Sequence, residues 1–340
     1  MQRLHFTAAA ARRLNTLAGA VTNLATVTVI AVLVAVPAHA QKYPERPVRL
    51  ISAYPPAGGV DITARIVGVE LAKRLGQAVI IENRAGAAGT LGTAVVARAA
   101  ADGYTILITA NPSITILPQF SNVGYDPKKD LIPIAKVGIA PTILAVNTDS
   151  PLRNMKDFLE AGRQTPSRVS VGVPGAGSTP QIELTLLGDL VKSEITIVPY
   201  RGATFIVSDV LGSQITGGAM ALPAIVPQIA GGKMRGLAVF APARSSVLPD
   251  VPTVREATGV ALDVFPTWYG FFAPAGTPRE AIARLEADIL AVMKEPSVIA
   301  KLRDAGTDAL TVGSVAFSRE NEVESAKLKA AVEKTKIQVQ

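Results

Sequence analysis

The residues best suited to chemistry in this chain lie in short glycine-rich turns that precede helices, and the chemistry they offer is anion binding by uncharged donors. Tyr54-Pro55-Pro56-Ala57-Gly58-Gly59-Val60-Asp61 follows the β-branched run Val48 to Ala53 and leads into a helical pattern at Ile62, Ile66, Val67, Leu71 and Leu75. A strand, a tight turn and a helix start in that order present unpaired backbone N–H groups and the positive end of a helix dipole. Gly58 and Gly59 let a ligand oxygen approach the backbone closely. The same joint also holds α/β proteins together with no ligand at all, so both readings stand at this point.

Much other chemistry is excluded. The chain has two histidines, His5 and His39, and no cysteine. Arg3, Arg12 and Arg13, an apolar stretch from Leu24 to Val36 and Ala38-His39-Ala40 read as a secretory signal peptide cleaved after Ala40. The mature protein then begins at Gln41 and contains neither His nor Cys. Ser-His-Asp and Cys-His catalysis, zinc sites built on those residues and disulfides are all removed. The formal charge of +7 falls to +4 with the loss of the three arginines. The remaining basic residues are dispersed among few aromatics, which gives no nucleic-acid footprint. The sequence implies no cofactor and no metal.

The elements that must position the turns follow a repeated order. Ala78 to Glu82 is a second strand, and Asn83-Arg84-Ala85-Gly86-Ala87-Ala88-Gly89-Thr90-Leu91-Gly92 turns into a small-residue helix reaching about Ala101. Tyr104 to Thr109 is a third strand, ending at Ala110-Asn111-Pro112-Ser113. Such units predict a parallel sheet with right-handed crossovers, with ligands beyond the strand C-termini where the turns gather. Apolar stretches at Ile132 to Val137 and Thr142 to Val146 follow. A second set of alternations has strands at Val169 to Val173, Ile195 to Val198, Gln214 to Met220 and Arg235 to Phe240, and helices at Met155 to Gln164 and Gln181 to Leu190. Pro174-Gly175-Ala176-Gly177-Ser178-Thr179 and Pro199-Tyr200-Arg201-Gly202-Ala203 again precede helices, so two similar α/β lobes are expected. Thr253 and Glu256 form a capping box. Thr267 to Ala273 is a strand, and Thr277-Pro278-Arg279-Glu280 reads as a helix start with a Thr cap. Helices near Ser297 to Ala305 and Ser314 to Lys336 end the chain.

The motifs together resemble the Bug family of periplasmic substrate-binding proteins of tripartite tricarboxylate transporters. The likeness rests on Tyr43-Pro44, the Pro55–Asp61 turn, Glu82–Gly89, Ala101–Thr105, Tyr125-Asp126-Pro127 with Asp130, Gly175–Thr179 and Val198–Ala203. It continues through Leu248–Thr253 with Glu256 and Ala273–Pro278, so it spans nearly the whole mature chain. The resemblance implies an α/β, two-lobed periplasmic-binding-protein (type II, Venus-flytrap) fold with two mixed sheets flanked by helices. Residues 41–147 plus 266–340 would form lobe 1 and 148–265 lobe 2.

It also implies a function. A small carboxylate would be held between the lobes and delivered to large and small integral-membrane permease subunits by a monomeric, non-catalytic periplasmic protein. Carried onto this chain, the ligand-lining positions are Pro56, Ala57, Gly58 and Gly59; Ala88, Gly89 and Thr90; Gly177, Ser178 and Thr179; and Tyr200, Arg201 and Ala203, while Asn111 and Ser113 in the third turn either line the cleft as well or only punctuate the strand. Asp61 either serves its helix start or reads an ammonium group or a water in the cleft. The chain departs from the family at Ala57, where Gly is frequent, and at Gln181, where His is frequent. Met220-Ala221-Leu222 is apolar where polar residues are frequent, which tilts the ligand toward a monocarboxylate or an aromatic or apolar acid. The alternatives are a ligand-presenting accessory protein for a sensor, and an exported hydrolase with Ser-Lys chemistry.

Overall fold

The structure is a computed structural model describing residues 43–164 and 169–335. The expected signal segment, residues 1–40, lies outside the described residues. In chain order the first half contributes β1 (Val48–Ser52), α1 (Gly59–Leu75), β2 (Val79–Asn83), α2 (Thr90–Ala97), β3 (Thr105–Ala110), β4 (Leu131–Ala140), β5 (Thr142–Asn147) and α3 (Met155–Gln164). Then come β6 (Ser170–Val173), α4 (Thr179–Val191), β7 (Thr196–Pro199), α5 (Ala203–Leu211), β8 (Gly217–Ala221) and β9 (Met234–Phe240). The chain ends with β10 (Thr267–Pro274), α6 (Arg279–Val292), α7 (Pro296–Asp304), β11 (Asp308–Gly313) and α8 (Ser314–Thr335).

These strands make two mixed sheets flanked by helices. The first has the order β11-β4-β10-β3-β1-β2 and the second β7-β6-β8-β5-β9. As the βαβ pattern predicts, β1 pairs in parallel with both β2 and β3, and β6 with both β7 and β8. The chain leaves the first sheet at Pro141, between β4 and β5, so β5, expected within a first lobe running to residue 147, pairs instead with β8 and β9 in the second sheet. It re-enters with β10, which lies antiparallel between β3 and β4. This insertion brings residues from beyond position 266 to the middle of a sheet begun at Val48.

Burial explains why β10 can sit there. All eight of its residues are buried. Trp268 meets Phe317 of α8 edge-on at 5.0 Å, and Phe272 lies 5.2 Å from the same ring. Burying Phe317 contributes about 2 kcal/mol relative to leaving it exposed. A smaller cluster joins the two sheets, with Ile182 of α4 against Ile116, Leu117, and Leu328 and Val332 of α8.

Three local expectations are corrected. The small-residue helix ends at Ala97, before the expected Ala101. Thr277 does not cap α6: its hydroxyl donates to Pro274 O at 2.7 Å, closing the preceding turn, and Pro278 stands at the helix boundary. The edge strand β11 was not foreseen, because its six residues are at best half-buried and carry no clean alternation. The capping box is present, with Glu256 N donating to Thr253 Oγ1 and Thr253 N to Glu256 Oε2.

Candidate functional site

The first turn is built on Asp61. Its carboxylate, 2% exposed, accepts from Arg65 Nε (2.8 Å) and Nη2 (2.9 Å), Asn83 Nδ2 (2.8 Å) and the Ala57 amide (3.0 Å). Burial pushes its pKa up, but the bonds from Arg65, Asn83 and Ala57 outweigh that and hold it below the usual carboxylate value. Ala57 has φ of 62°, a left-handed conformation that favours glycine. The bond from its own amide to Asp61 helps to hold it there. Asp61 therefore spends its charge inside the turn, locking Gly58 and Gly59 at the start of α1. Gly58 is the N-cap of α1 and makes no side-chain cap bond. The Gly59 and Val60 amides have no acceptor among the described residues.

Gly58, Gly59 and Val60 line a small, partly open cavity of about 50 Å³ between the two sheets. From the first-sheet side Tyr54, Pro55, Ala110, Pro112, Thr267 and Tyr269 complete it. Pro174, Ser178, Pro180, Ala203, Ala221 and Ala224 close it from the second-sheet side. No lining residue is charged.

Two buried hydroxyls at this cavity, Tyr269 Oη and Ser178 Oγ, have no hydrogen-bond partner in the structure. Each residue is only 1% exposed. Burial raises the Tyr269 pKa well above its usual value, so the phenol remains an O–H donor. The ring reaches over the start of α1 so closely that a Cβ on Gly59 would overlap its oxygen. Ser178 is the N-cap of α4 and also makes no side-chain cap bond, and α5 starts at Ala203 on the same cavity. Three helix N-termini thus meet around uncharged donors, an arrangement that attracts a negative charge.

The remaining residues expected in the site support the turns from outside the cavity lining. Pro56 offers its carbonyl to Thr204 Oγ1 across the cleft at 2.9 Å. The Ala88 carbonyl accepts from Tyr54 Oη at 2.7 Å, and Ala88 faces Gly175, where a Cβ would lie 2.8 Å from the Ala88 methyl. The Gly89 amide donates to Gly86 O at 3.0 Å and Thr90 Oγ1 to Ala87 O at 2.9 Å, so both are used within their turn. Asn111 Nδ2 turns toward α8 and donates to Glu324 Oε1 at 3.0 Å, beside the Trp268 Nε1 bond to Oε2 at 2.6 Å. Ser113 Oγ is shared with Thr109 at 2.8 Å.

On the second-sheet side, the Gly177 amide donates to Gln181 Oε1 at 2.6 Å, the task this glutamine performs where the family often has His. Thr179 is fully buried with an unpartnered hydroxyl but does not line the cavity. Tyr200 Oη donates to Asp209 Oδ2 at 2.6 Å, and Arg201 is exposed. The structure thus gathers Gly58, Gly59, Ser178 and Ala203 at the cavity. It adds Tyr54, Thr267 and Tyr269, which the reading of turns missed. The signal for Tyr269 was its place two residues after Thr267 in a strand, with a polar tip among apolar neighbours.

Among the described residues, no helix is long and apolar enough to cross a membrane, and no group of three or more acidic, His or Cys residues stands where it could hold a metal.

A cavity of this kind between two mixed α/β sheets defines the fold of the periplasmic solute-binding proteins. Residues 63–337 match the tripartite tricarboxylate transporter family receptor, and the chain belongs to that family. It is 34% identical over 267 residues to a protein of the tcbD-tcbE intergenic region of Pseudomonas sp. strain P51, covering 78% of this chain and 79% of that one. It is 32% identical over 268 residues to BugT of Bordetella pertussis, covering 78% and 82%.

Among solved structures, the periplasmic binding protein BugD superposes with a TM-score of 0.83 at 28% identity, covering 88% of this chain and all of BugD (100%). Rpa4515 of R. palustris, solved with adipate, gives 0.83 at 30% identity, covering 87% and 99%. MatC of Rhodopseudomonas palustris, solved with bound malate, gives 0.77 at 29% identity, covering 85% and 100%.

Proposed function

We propose that this chain is an exported, non-catalytic solute receptor that captures a small carboxylate between its two sheets and hands it to membrane permease subunits. The observation that carries the reading is the meeting of two unpartnered buried hydroxyls, Tyr269 and Ser178, with uncapped helix N-termini at one uncharged cavity. A carboxylate supplies acceptors for these donors and a charge for the helix dipoles. It needs no lysine or arginine beside it. Structures of relatives with adipate and malate support the ligand class.

The two sheets would act as two lobes that open and close around the ligand, with crossings at Pro141 and in the segment before Thr267. Thr204 on Pro56, and Gly202 against Pro55, are contacts that closure would make. Family membership supports a periplasmic location, with residues 1–40 as the signal peptide and Gln41 as the first mature residue. Permease subunits as the receiving partners, and action as a monomer, belong to the same reading.

The test is a thermal-shift panel on the mature protein with carboxylic acids, and phosphate as control. A ligand that binds only the folded state raises the midpoint with concentration. A rise with a carboxylate that is absent in Gly59→Ala supports the reading. A rise with phosphate alone overturns it.

A further inference from the structure

A buried acid sits where the two sheets are joined. Glu183 of α4 is fully buried, and its Oε1 accepts from the Phe265 amide at 2.8 Å. Phe265 belongs to the segment that returns the chain to the first sheet at Thr267. Beside the carboxyl lies Thr142 Oγ1, in the first residue after the other crossing at Pro141, without a hydrogen bond of good geometry. Glu183 Oε2 has no partner. One side chain thus meets both connections between the sheets, and it does so from the helix whose start, Ser178, faces the cavity.

The face of α4 around Glu183 is covered by first-sheet elements. Ile182 and Leu186 pack with Ile116 and Leu117 and with Leu328 and Val332 of α8, and Phe265 joins the same cluster. Leu186 and Phe265 also line an open groove of about 860 Å³ along α8. Parting α4 from α8 would join Glu183 to that groove and to water. Among the charged groups of these elements, Asp189 of α4 and Asp263 of the returning segment are exposed. Glu324 of α8 accepts from Asn111 and Trp268, Lys327 borders the groove, and β5 has no titratable side chain. None of these charges is a cause of the Glu183 shift, which comes from burial, opposed by the Thr142 hydroxyl and the Phe265 amide.

We propose that Glu183 is a proton-linked latch on the cleft: α4 closes on the first-sheet elements with this carboxyl neutral, and loss of its proton parts them. An ionised Glu183 in the closed arrangement is a buried, unpaired charge, and its cost falls when water reaches it. Burial pushes the closed-state carboxyl up to about 8, and in an open cleft it returns toward 4.5. Closure therefore takes up a proton between these values. The advantage of the closed state is fully present below 4.5 and is lost as pH rises through about 8. The latch works on the protein with or without a solute, so it goes beyond the carboxylate-receptor reading and does not depend on it.

The experiment measures cleft opening directly. The sequence has no cysteine, so Leu91→Cys and Phe205→Cys, at exposed positions on α2 and α5, can carry a pair of spin labels without background. Their separation is measured by double electron–electron resonance at pH 6 and pH 9, on mature protein freed of carried-over ligand by unfolding and refolding. The expected result is a longer distance that gains population at pH 9, its ratio to the shorter one rising about tenfold or more. Glu183→Gln, which can still accept from the Phe265 amide but cannot ionise, should show no such change. A wild-type distribution that does not move with pH, or a Gln variant that moves as much as wild type, overturns the latch and leaves the carboxylate-receptor reading untouched. Should the Gln variant not fold, Glu324→Gln decides. The latch predicts that it responds to pH as wild type does, and a lost response would assign the proton to Glu324 and overturn the proposal.

Discussion

Two buried carboxylates, one on each side of the cleft, solve the same problem in opposite ways. Asp61 beneath the first turn is ionised and saturated, with Arg65, Asn83 and the Ala57 amide supplying bonds to both oxygens. Glu183 in α4 is fully buried, accepts one bond from the Phe265 amide at 2.8 Å, and has its other oxygen unpartnered. Burial pushes the Glu183 carboxyl up to about 8, so at neutral pH it is largely protonated. On the first-sheet side the acid's charge is used up in rigidifying a turn. On the second-sheet side the acid is discharged in the interior, close to the segment that returns to the first sheet. In both cases no negative charge is left facing the cavity, which is the condition for uncharged donors to hold an anion there.

The first way to break this comparison is at the turn that Asp61 holds. Gly59→Ala places a methyl on the Tyr269 hydroxyl, and carboxylate affinity should fall by about a hundredfold, ~2.7 kcal/mol, in titration calorimetry. Loss of affinity with an otherwise ordinary melting temperature separates a blocked site from a misfolded chain.

Glu183→Gln examines the other side. A raised folded-state pKa gives stability that is fully present below the unfolded value near 4.5 and is lost as pH rises through about 8. Wild-type Tm, relative to the Gln variant, should therefore be highest near pH 5 and lowest near pH 9. The variant should melt several degrees above wild type at pH 9. A variant less stable than wild type at pH 9 would mean that the fold does not raise the Glu183 pKa above its unfolded value.

Asp61→Asn has the opposite sign. The lowered pKa contributes stability above the unfolded value near 3.8, which is lost as pH falls through the lower folded value. The variant should lose about 1–3 kcal/mol at pH 7, less at pH 3, in denaturant titrations at the two pH values. Tyr269→Phe should weaken carboxylate binding about tenfold and leave the ligand-free Tm unchanged or slightly raised, since the hydroxyl has no partner to lose. The smallest effect expected is for Thr204→Val, which removes the exposed bond to Pro56 O across the cleft. Affinity should drop by about twofold, chiefly through a faster dissociation rate.

The contrast between the two sides also accounts for what the sequence disclosed. Strand-turn-helix units, the helix starts at Gly59 and Ser178, and the capping box at Thr253 are encoded by residues within a few positions of one another. They were legible for that reason. Tyr269 was not, because its role depends on β10 inserting between β3 and β4 after an excursion through the second sheet. Asn111, Thr90 and Ser113 have the right residue types at the right turns, yet their side chains bond inward. Nothing local distinguishes a hydroxyl that faces a cavity from one that ties its own turn. The edge strand β11, half-exposed and short, had no periodicity to betray it.

The central claim is that a carboxylate is held by uncharged donors at the starts of α1 and α4. A crystal structure of the mature protein grown with its best-binding carboxylate tests it most directly. The account predicts carboxylate oxygens within about 3.2 Å of Tyr269 Oη, Ser178 Oγ and the Gly59 or Val60 amide, with no charged side chain in contact. A carboxylate seated instead on Arg201, or on the Ala88–Thr90 turn, with Tyr269 and Ser178 still unpartnered, would contradict it.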